Sequence, residues 1–254
     1  MTSSPFSLGN DVALVTGASS GLGAHFARTL HAAGARVALA ARRTERLEEL
    51  ADELGRERAM PVALDVTSVE SVNAALDAVT EAFDVPHILV NNAGMARTER
   101  FLEMSQKTWD LTLNVNLSGV FRVGQATAQR MAATGRGGRI INIASLLAFA
   151  VQPTQSAYAS TKAAVVHLTK SMALELGREK IRVNAIAPGY FVTEMNAAFF
   201  GTDAGQALAK KLFPRRTGDL RELDGPLLLL ASEASSYMTG TTVTVDGGTG
   251  LAGV

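Results

Sequence analysis

A tyrosine and a lysine stand four residues apart near the start of a predicted helix over residues 155–176. Because residues at this spacing share one face of a helix, the Tyr158 hydroxyl and the Lys162 ammonium can approach the same ligand. A free phenol has a pKa of about 10. A cation about 4 Å away, at an effective dielectric constant of about 20, contributes about 4 kcal/mol, which would lower that pKa by roughly three units. The pair therefore predicts Tyr158 as an acid/base that works near neutral pH.

Two other polar residues are candidates for the same site. Ser145 follows a predicted strand over residues 138–144, and ligands of open parallel sheets bind beyond the carboxyl ends of the strands. Its hydroxyl is predicted to hold a substrate carbonyl against Tyr158; a serine that only caps a turn is the alternative. Asn116 falls inside a long predicted helix over residues 105–133, where asparagine is unfavourable. This suggests a role such as holding a water next to Lys162, for which Asn114 competes.

A glycine-rich turn follows the first predicted strand and opens the first predicted helix. Gly17 permits a tight turn, Gly21 lets the backbone approach a pyrophosphate, and Gly23 permits close helix packing. Free N–H groups and the dipole at a helix start attract phosphates. A purely structural turn is the alternative, but the position between strand and helix favours a dinucleotide site. The predicted contacts here are Gly17, Ser19, Ser20, Gly21, Leu22 and Gly23.

The end of the second predicted strand indicates which dinucleotide binds. Enzymes that use NAD usually place an acid there to bind the ribose 2′-hydroxyl. Here the position is Ala41, and Arg42 and Arg43 follow it. With no carboxylate to repel a 2′-phosphate and arginine to pair with it, NADP(H) is favoured over NAD(H). The alternative is that Arg43 and Arg46 simply face water.

Apolar runs that alternate with helical patterns predict the architecture. The predicted strands are residues 12–16, 36–41, 61–65, 87–91, 138–144, 181–187 and 241–245. The predicted helices are residues 21–33, 44–54, 68–83, 105–133, 155–176 and 219–231. This alternation predicts an α/β, doubly wound (Rossmann) parallel seven-stranded sheet with helices on both faces, in a single domain over residues 1–254. Residues 189–217 break the rhythm, are rich in Phe, and are predicted to form a substrate lid.

Composition excludes several classes of function. The 254 residues carry 24 Lys and Arg against 24 Asp and Glu, so no basic excess points to nucleic acid or to a membrane surface. The absence of cysteine excludes disulfides and thiolate zinc sites, and the four histidines show no ligand spacing, so no metal is expected. Neither a signal peptide at the N-terminus nor a run of about 20 apolar residues is present. We expect a cytoplasmic enzyme with a small-molecule substrate.

The chain closely resembles the short-chain dehydrogenase/reductase family, in its branch of chains about as long as these 254 residues. The resemblance runs from about Asn10 to Gly248. Besides the glycine turn, the motifs that carry it are Asp65-Val66, Asn91-Asn92-Ala93-Gly94, Ser145, Tyr158 with Lys162, Pro188-Gly189 and Val245-Asp246-Gly247-Gly248. Their order and spacing make the resemblance highly specific.

The resemblance implies a role for each matching residue. Tyr158 would exchange the proton, Ser145 would orient the carbonyl, and Lys162 would lower the tyrosine pKa and bind the nicotinamide ribose. Asn116 matches the asparagine of a proton relay. The remaining implied cofactor contacts are Asp65 and Val66 at the adenine, Asn92, Ala93 and Gly94 along the cleft, and Pro188, Gly189, Phe191 and Thr193 at the nicotinamide. The family is commonly tetrameric, and residues 238–248 look like its assembly surface.

Some positions depart from the family pattern. Ser20 stands where many members that prefer NADP have arginine, so only the Arg42 side of a 2′-phosphate site is evident. Phe191 is bulkier than the usual aliphatic residue and is expected to narrow the nicotinamide pocket.

These observations predict reversible hydride transfer between NADP(H) and a carbonyl or secondary alcohol. The bulky residues after Ser145 and within residues 189–217 favour an apolar or aromatic ketone or alcohol if they face the site; packing in the core or in a tetramer is the alternative. The predicted substrate contacts are Ser145, Leu147, Tyr158 and Met195. The runner-up is a 3-oxoacyl thioester reductase. Four basic residues could meet an acyl-carrier phosphopantetheine, although solvated charges on the lid are the favoured interpretation: Lys210, Lys211, Arg215 and Arg216. A non-catalytic dinucleotide sensor is less favoured because both Tyr158 and Lys162 are present.

Overall fold

Seven parallel strands form the central sheet in the computed structural model, which describes residues 4–9 and 11–252. In chain order the strands are β1 Val12–Thr16, β2 Arg36–Ala41, β3 Ala59–Ala63, β4 Ile88–Asn91, β5 Gly138–Ile143, β6 Ile181–Pro188 and β7 Thr242–Val245. Their spatial order is β3-β2-β1-β4-β5-β6-β7. The order reverses between β1 and β4, and in such sheets the ligand cleft opens at that point, beyond the carboxyl ends of the strands. Asn10 and both ends of the predicted 1–254 domain lie outside the described residues.

Helices cover both faces of this sheet. The helices are α1 Gly21–Ala32, α2 Thr44–Leu54, α3 Val69–Ala82, α4 Gln106–Leu113, α5 Gly119–Thr134, α6 Ser156–Leu176, α7 Ala197–Phe200, α8 Asp203–Lys211, α9 Asp224–Ala231 and α10 Thr249–Ala252. One apolar cluster joins Ala13 and Val15 of β1 to α1, α2 and α9. A second joins Val12 and Leu14 to α3, α5 and α6. Since β1 is buried on both sides, it reads as a continuous apolar run, and the predicted doubly wound parallel fold is confirmed.

The structure corrects three predicted elements. The helix predicted over residues 105–133 is interrupted by a π-helical turn, Asn114–Ser118, between α4 and α5. The helix predicted over residues 219–231 starts as a separate 3₁₀ turn, Leu220–Leu223. β3 covers residues 59–63 rather than 61–65, because its register is fixed by pairing of Ala59 with Val37. Pro61 is tolerated there because β3 is an edge strand, where a missing N–H need not break the sheet.

Residues 189–217 are more regular than the sequence suggests. They contain α7 and α8, and Thr202 caps α8 by accepting a hydrogen bond from the Gly205 amide at 3.2 Å. Phe200 and Leu212 of this segment are buried, whereas Met195, Phe199 and Phe213 are exposed. The segment leaves β6 at its carboxyl end, which brings its first residues to the cleft. In the part of the chain that the structure describes, no helix is both long and apolar enough to cross a bilayer.

Candidate active site

The glycine-rich turn between β1 and α1 is packed too tightly for larger residues. Gly17 and Gly21 have φ values of +69° and +54°, in the left-handed region that favours glycine. A Cβ on Gly23 would lie 2.2 Å from the Gly17 carbonyl oxygen. The Asn92 amide at the end of β4 donates to the Thr16 carbonyl at 2.9 Å and so holds the turn against the sheet. Ser20, the N-cap of α1, makes no capping bond with its side chain, so the first helical N–H groups remain open to an anion.

A cavity of about 560 Å³ lies beyond the carboxyl ends of the strands, beside this turn. Every predicted cofactor residue except Gly23 lines it: Gly17, Ser19, Ser20, Gly21, Leu22, Arg42, Asp65, Val66, Asn92, Ala93, Gly94, Tyr158, Lys162, Pro188, Gly189, Phe191 and Thr193. Gly23 instead packs behind the turn. The elongated set of residues, with open amides at one helix start and arginines beside them, fits a dinucleotide phosphate.

Tyr158 and Lys162, on the first turns of α6, face this cavity together with Ser145. The Lys162 Nζ lies 5.5 Å from the centroid of the Tyr158 ring and donates to the Ile143 carbonyl at 2.7 Å. Ser145 follows β5 and accepts a hydrogen bond from the Leu147 amide at 3.1 Å, which orients its hydroxyl. A phenol, a hydroxyl and an ammonium therefore converge on one space.

Burial sets the pKa values of Tyr158 and Lys162. It raises the pKa of Tyr158, and a hydrogen bond with Ser145 opposes the change only in part. It also lowers the pKa of Lys162 to about 8, because an ammonium loses hydration when it is enclosed. The sequence predicted a lower pKa for Tyr158. The structure differs because Lys162 points its ammonium at a backbone carbonyl rather than at the phenol oxygen.

Asn116 lies directly behind this group, in the π-helical turn. It is fully buried, accepts from the Met95 amide at 2.8 Å and donates to the Met95 carbonyl at 2.8 Å. A Cβ on Gly94 would lie 3.4 Å from the Asn116 Oδ1 and 3.8 Å from the Lys162 Nζ, which places these two groups near each other. Asn114, the competing candidate, accepts a hydrogen bond from Arg122 at 2.8 Å instead. The π-helical turn therefore directs Asn116, and not Asn114, towards Lys162.

Arginines lie at the other end of the cavity, where β2 ends. Arg42 and Arg43 both line the cavity. Arg43 donates to the Ser20 hydroxyl at 2.7 Å and to the Ser19 hydroxyl at 3.2 Å, so its guanidinium lies over the glycine turn. From the sequence, Arg43 was a candidate to pair with a 2′-phosphate beside Arg42, with a water-facing side chain as the alternative; its place in the cavity lining favours the first interpretation.

Comparison with known proteins places this site in a family. A family model described as enoyl-(acyl carrier protein) reductase matches residues 17–250. The 2-dehydro-3-deoxy-D-gluconate 5-dehydrogenase of Escherichia coli is 39% identical over 251 residues, which cover 98% of both chains. The 3-oxoacyl-(acyl-carrier-protein) reductase of Aquifex aeolicus is 37% identical, over 93% of this chain and 96% of its own. The chain belongs to the short-chain dehydrogenase/reductase family.

A solved structure extends the comparison to the cofactor. A gluconate 5-dehydrogenase from Burkholderia cenocepacia, in complex with NADP and tartrate, superposes with a TM-score of 0.92 at 38% identity and covers 98% of both chains. As a short-chain dehydrogenase/reductase, this protein is an NAD(P)-dependent oxidoreductase that acts on CH–OH and C=O groups. The family and the enzyme class predicted from the sequence are therefore confirmed.

The cavity of this short-chain dehydrogenase/reductase differs from the expected substrate site in two respects: some predicted residues lie outside its lining, and one residue that was not predicted lies within it. Met195 lines the cavity, whereas Leu147 is buried and does not. Phe149, Phe199 and Phe213 are exposed and are not part of the cavity lining either. Arg97, which the sequence analysis missed, lies in the lining with Met95. Its position three residues after Gly94 was the only signal in the sequence.

Proposed function

We propose that this protein is an NADP(H)-dependent dehydrogenase/reductase that interconverts a carbonyl and a secondary alcohol, with Tyr158 as the acid/base. The observation that carries the proposal is that Tyr158, Lys162 and Ser145 line the same cavity as the glycine turn. A hydride donor bound at the turn and a substrate held by Ser145 can therefore meet in front of one phenol.

Each polar group has a distinct part in the proposed reaction. The bound nicotinamide supplies or accepts the hydride. In reduction the Tyr158 hydroxyl gives its proton to the substrate oxygen, and in oxidation the phenolate takes it back. Ser145 donates a hydrogen bond to the same oxygen and fixes its position. Since burial raises the pKa of Tyr158, the positive charge of Lys162 is needed to offset that rise. Asn116 holds the Met95 backbone beside Lys162, where a proton relay would pass.

NADP(H) is the proposed cofactor in preference to NAD(H). No carboxylate stands at Ala41, where an acid would bind a free ribose hydroxyl, and Arg42 and Arg43 line the cavity beside it. The Burkholderia relative binds NADP in a closely similar fold. Both observations support the preference.

Residues 189–217 are proposed to act as a lid on a single catalytic domain. Phe191, Thr193, Met195 and Asn196 from this segment line the cavity, and an exposed Phe213 lies further along it. We also infer a homotetramer that uses residues 238–248, because β7 is an edge strand and Tyr237 beside it is fully exposed. Location in the cytoplasm stays a prediction.

Arg97 favours a substrate that carries a carboxylate. It lines the same cavity as Tyr158, and among the described residues no carboxylate lies within 4.0 Å of its charged nitrogens. A guanidinium pairs well with a carboxylate because two parallel hydrogen bonds form. Relatives named for gluconate and for 2-dehydro-3-deoxy-D-gluconate act on such acids. We therefore favour an oxo or hydroxy sugar acid.

Two other substrate classes remain candidates. The apolar or aromatic ketone predicted from the sequence draws support from Phe191 and Met195, the only ones of its bulky residues that line the cavity. The 3-oxoacyl thioester is favoured by the Aquifex relative. One of the four basic residues that could meet such a thioester, Arg216, already pairs with Glu222 at 2.7 Å. This pairing weakens its case as a contact for the thioester.

A kinetic panel tests the proposal. Turnover of a 5-oxo sugar acid, an aromatic ketone and a 3-oxoacyl thioester is measured with NADPH and with NADH. We expect the highest kcat/KM for the sugar acid with NADPH. Arg97→Met should raise KM for the sugar acid about tenfold or more, the size of a lost charged hydrogen bond, and leave the ketone unchanged. Arg100→Met, which removes a neighbouring exposed arginine outside the cavity, is the matched control. Equal effects of Arg97→Met on acid and ketone would contradict the substrate assignment.

A further inference from the structure

Glu194 projects from the start of the 189–217 segment towards the arginines that follow β2. The preceding residue, Thr193, packs on the glycine turn: a Cβ on Gly21 would lie 3.3 Å from the Thr193 Cβ. Asn196 fixes the local backbone by accepting from the Thr193 amide at 2.8 Å and donating to the Phe191 carbonyl at 2.9 Å. The position of the Glu194 backbone beside the cofactor cavity is therefore set by the fold.

The Glu194 carboxylate is held by two guanidinium groups. The Arg46 Nη1 donates to its two oxygens at 2.8 and 2.7 Å. The two terminal nitrogens of Arg43 each lie 3.5 Å from one of its oxygens. The hydrogen bond from Arg46 and smaller contributions from Ser20 and Arg43 lower the pKa of Glu194 to about 2. The carboxylate is therefore fully charged at neutral pH.

Arg43 is shared between this carboxylate and the cofactor site. Its guanidinium also donates to the hydroxyls of Ser19 and Ser20 in the glycine turn, and its side chain lines the cavity. An anionic group that pairs with Arg43 at this end of the cavity therefore shares a guanidinium that already faces a carboxylate. A neutral hydroxyl group at the same place meets no such competition.

We propose that Glu194 is a cofactor-specificity-determining residue that lowers the preference for NADP(H) over NAD(H). Its carboxylate competes with a ribose 2′-phosphate for Arg43 and repels that phosphate. Against NAD(H), whose 2′-hydroxyl is neutral, the same carboxylate, which lies outside the cavity lining, has no repulsive effect. The inference rests on the proposed dinucleotide site, but it concerns the ratio of two affinities and not which of them is higher.

The competing explanation is that Glu194 only anchors the lid segment through Arg46. In that case its loss would loosen the cavity for both cofactors alike. The two explanations differ in the ratio of dissociation constants, which is a binding measurement independent of turnover.

Glu194→Gln tests the proposal because it removes the charge and keeps an acceptor oxygen for Arg46. Dissociation constants for NADPH and NADH are measured by titration calorimetry. We expect the Kd for NADPH to fall about threefold to tenfold, the size expected when one exposed like charge is removed from a dianion, and the Kd for NADH to stay within about twofold. This increase in affinity for NADPH should be smaller at high ionic strength because salt screens exposed charges.

Two further variants complete the experiment. Glu53→Gln makes the same chemical change in another exposed ion pair, with Arg28, away from the cavity, and should leave both constants unchanged. Glu194→Ser removes the charge without the amide and should raise the preference for NADPH as Glu194→Gln does. An unchanged ratio of the two constants in both Glu194 variants would overturn the inference. A wild-type chain that binds NADH more tightly than NADPH would instead overturn the proposed cofactor preference.

Discussion

The two ends of the cofactor cavity hold their polar side chains in place by different interactions. At the reacting end, Lys162 is 4% exposed and Asn116 fully buried, and both are fixed by hydrogen bonds to backbone atoms. At the arginine end, the side chains of Arg43, Arg46 and Glu194 are between 44% and 49% exposed and are held together by ion pairs. Enclosure makes each buried polar group costly to displace, whereas exposed charges exchange partners easily. We therefore expect the chemistry at the buried end and the discrimination between cofactors at the exposed end.

The largest effect that sharpens this comparison is expected at Tyr158. Tyr158→Phe removes only the hydroxyl, and we expect kcat to fall about 10³-fold, within the range for loss of a positioned acid/base. The Kd for NADPH should stay within about twofold. Steady-state kinetics and calorimetry measure the two quantities.

Tyr190→Phe is the matched control for this variant. It removes a half-buried phenol that donates to the Gln152 side chain at 3.0 Å, outside the cavity lining. Its kcat should change less than about fivefold. If kcat fell by a similar factor in the two variants, the Tyr158 hydroxyl would have no special part in the reaction.

An intermediate effect is expected from the buried charge of Lys162. Burial lowers the pKa of Lys162 from 10.5 to about 8, so between these pH values the unfolded chain binds more protons than the folded chain. Its contribution to the free energy of unfolding therefore rises with pH across that window. Below about pH 8, enclosing the ammonium costs about 3 kcal/mol.

Lys162→Met removes this dependence and tests it. The free energy of unfolding of the variant, relative to the wild type, should be higher at pH 7 than at pH 10.5 by up to about 3 kcal/mol. Urea denaturation of the cofactor-free chains at both pH values measures the difference. Lys170→Met, on the exposed side of the same helix, should show none of it. A relative stability of Lys162→Met that does not vary with pH would mean that the lysine is not enclosed as described.

The buried end could largely be predicted from the sequence, for a local reason. Tyr158 and Lys162 lie one helical turn apart, and Gly17 and Gly21 lie at the two ends of the turn that leads into α1, so short-range spacing already fixes which atoms face the same space. The central strands could also be predicted, because burial of both of their faces makes them continuous apolar runs in the sequence. The π-helical turn at Asn114–Ser118 was not, because nothing in a helical pattern specifies where one extra residue enters a turn.

The exposed end could not be predicted from spacing. Glu194 is 151 residues from Arg43, and any of the exposed carboxylates could have paired with that arginine. The packing of Thr193 on Gly21 helps to place Glu194 beside Arg43, and that contact depends on the whole sheet being formed. The direction of the Lys162 ammonium was not predicted for a similar reason: its acceptor, the Ile143 carbonyl, belongs to β5 and not to the helix that carries the lysine.

The smallest effect is expected at Arg46 and tests whether exposed charges exchange partners as argued. Arg46 makes the short contacts to Glu194 but does not line the cavity, so Arg46→Gln frees the carboxylate to move onto Arg43. We expect the Kd for NADPH to rise about threefold and the melting temperature to change little, since exposed ion pairs contribute little to stability. In a Glu194→Gln background the same substitution should weaken NADPH binding less, because no carboxylate remains to be released. Calorimetry on the four chains of this double-mutant cycle measures the coupling. If the two effects on NADPH binding simply add, Arg46 acts only through its own charge. The exposed charges at the arginine end of the cavity would then not exchange partners as argued.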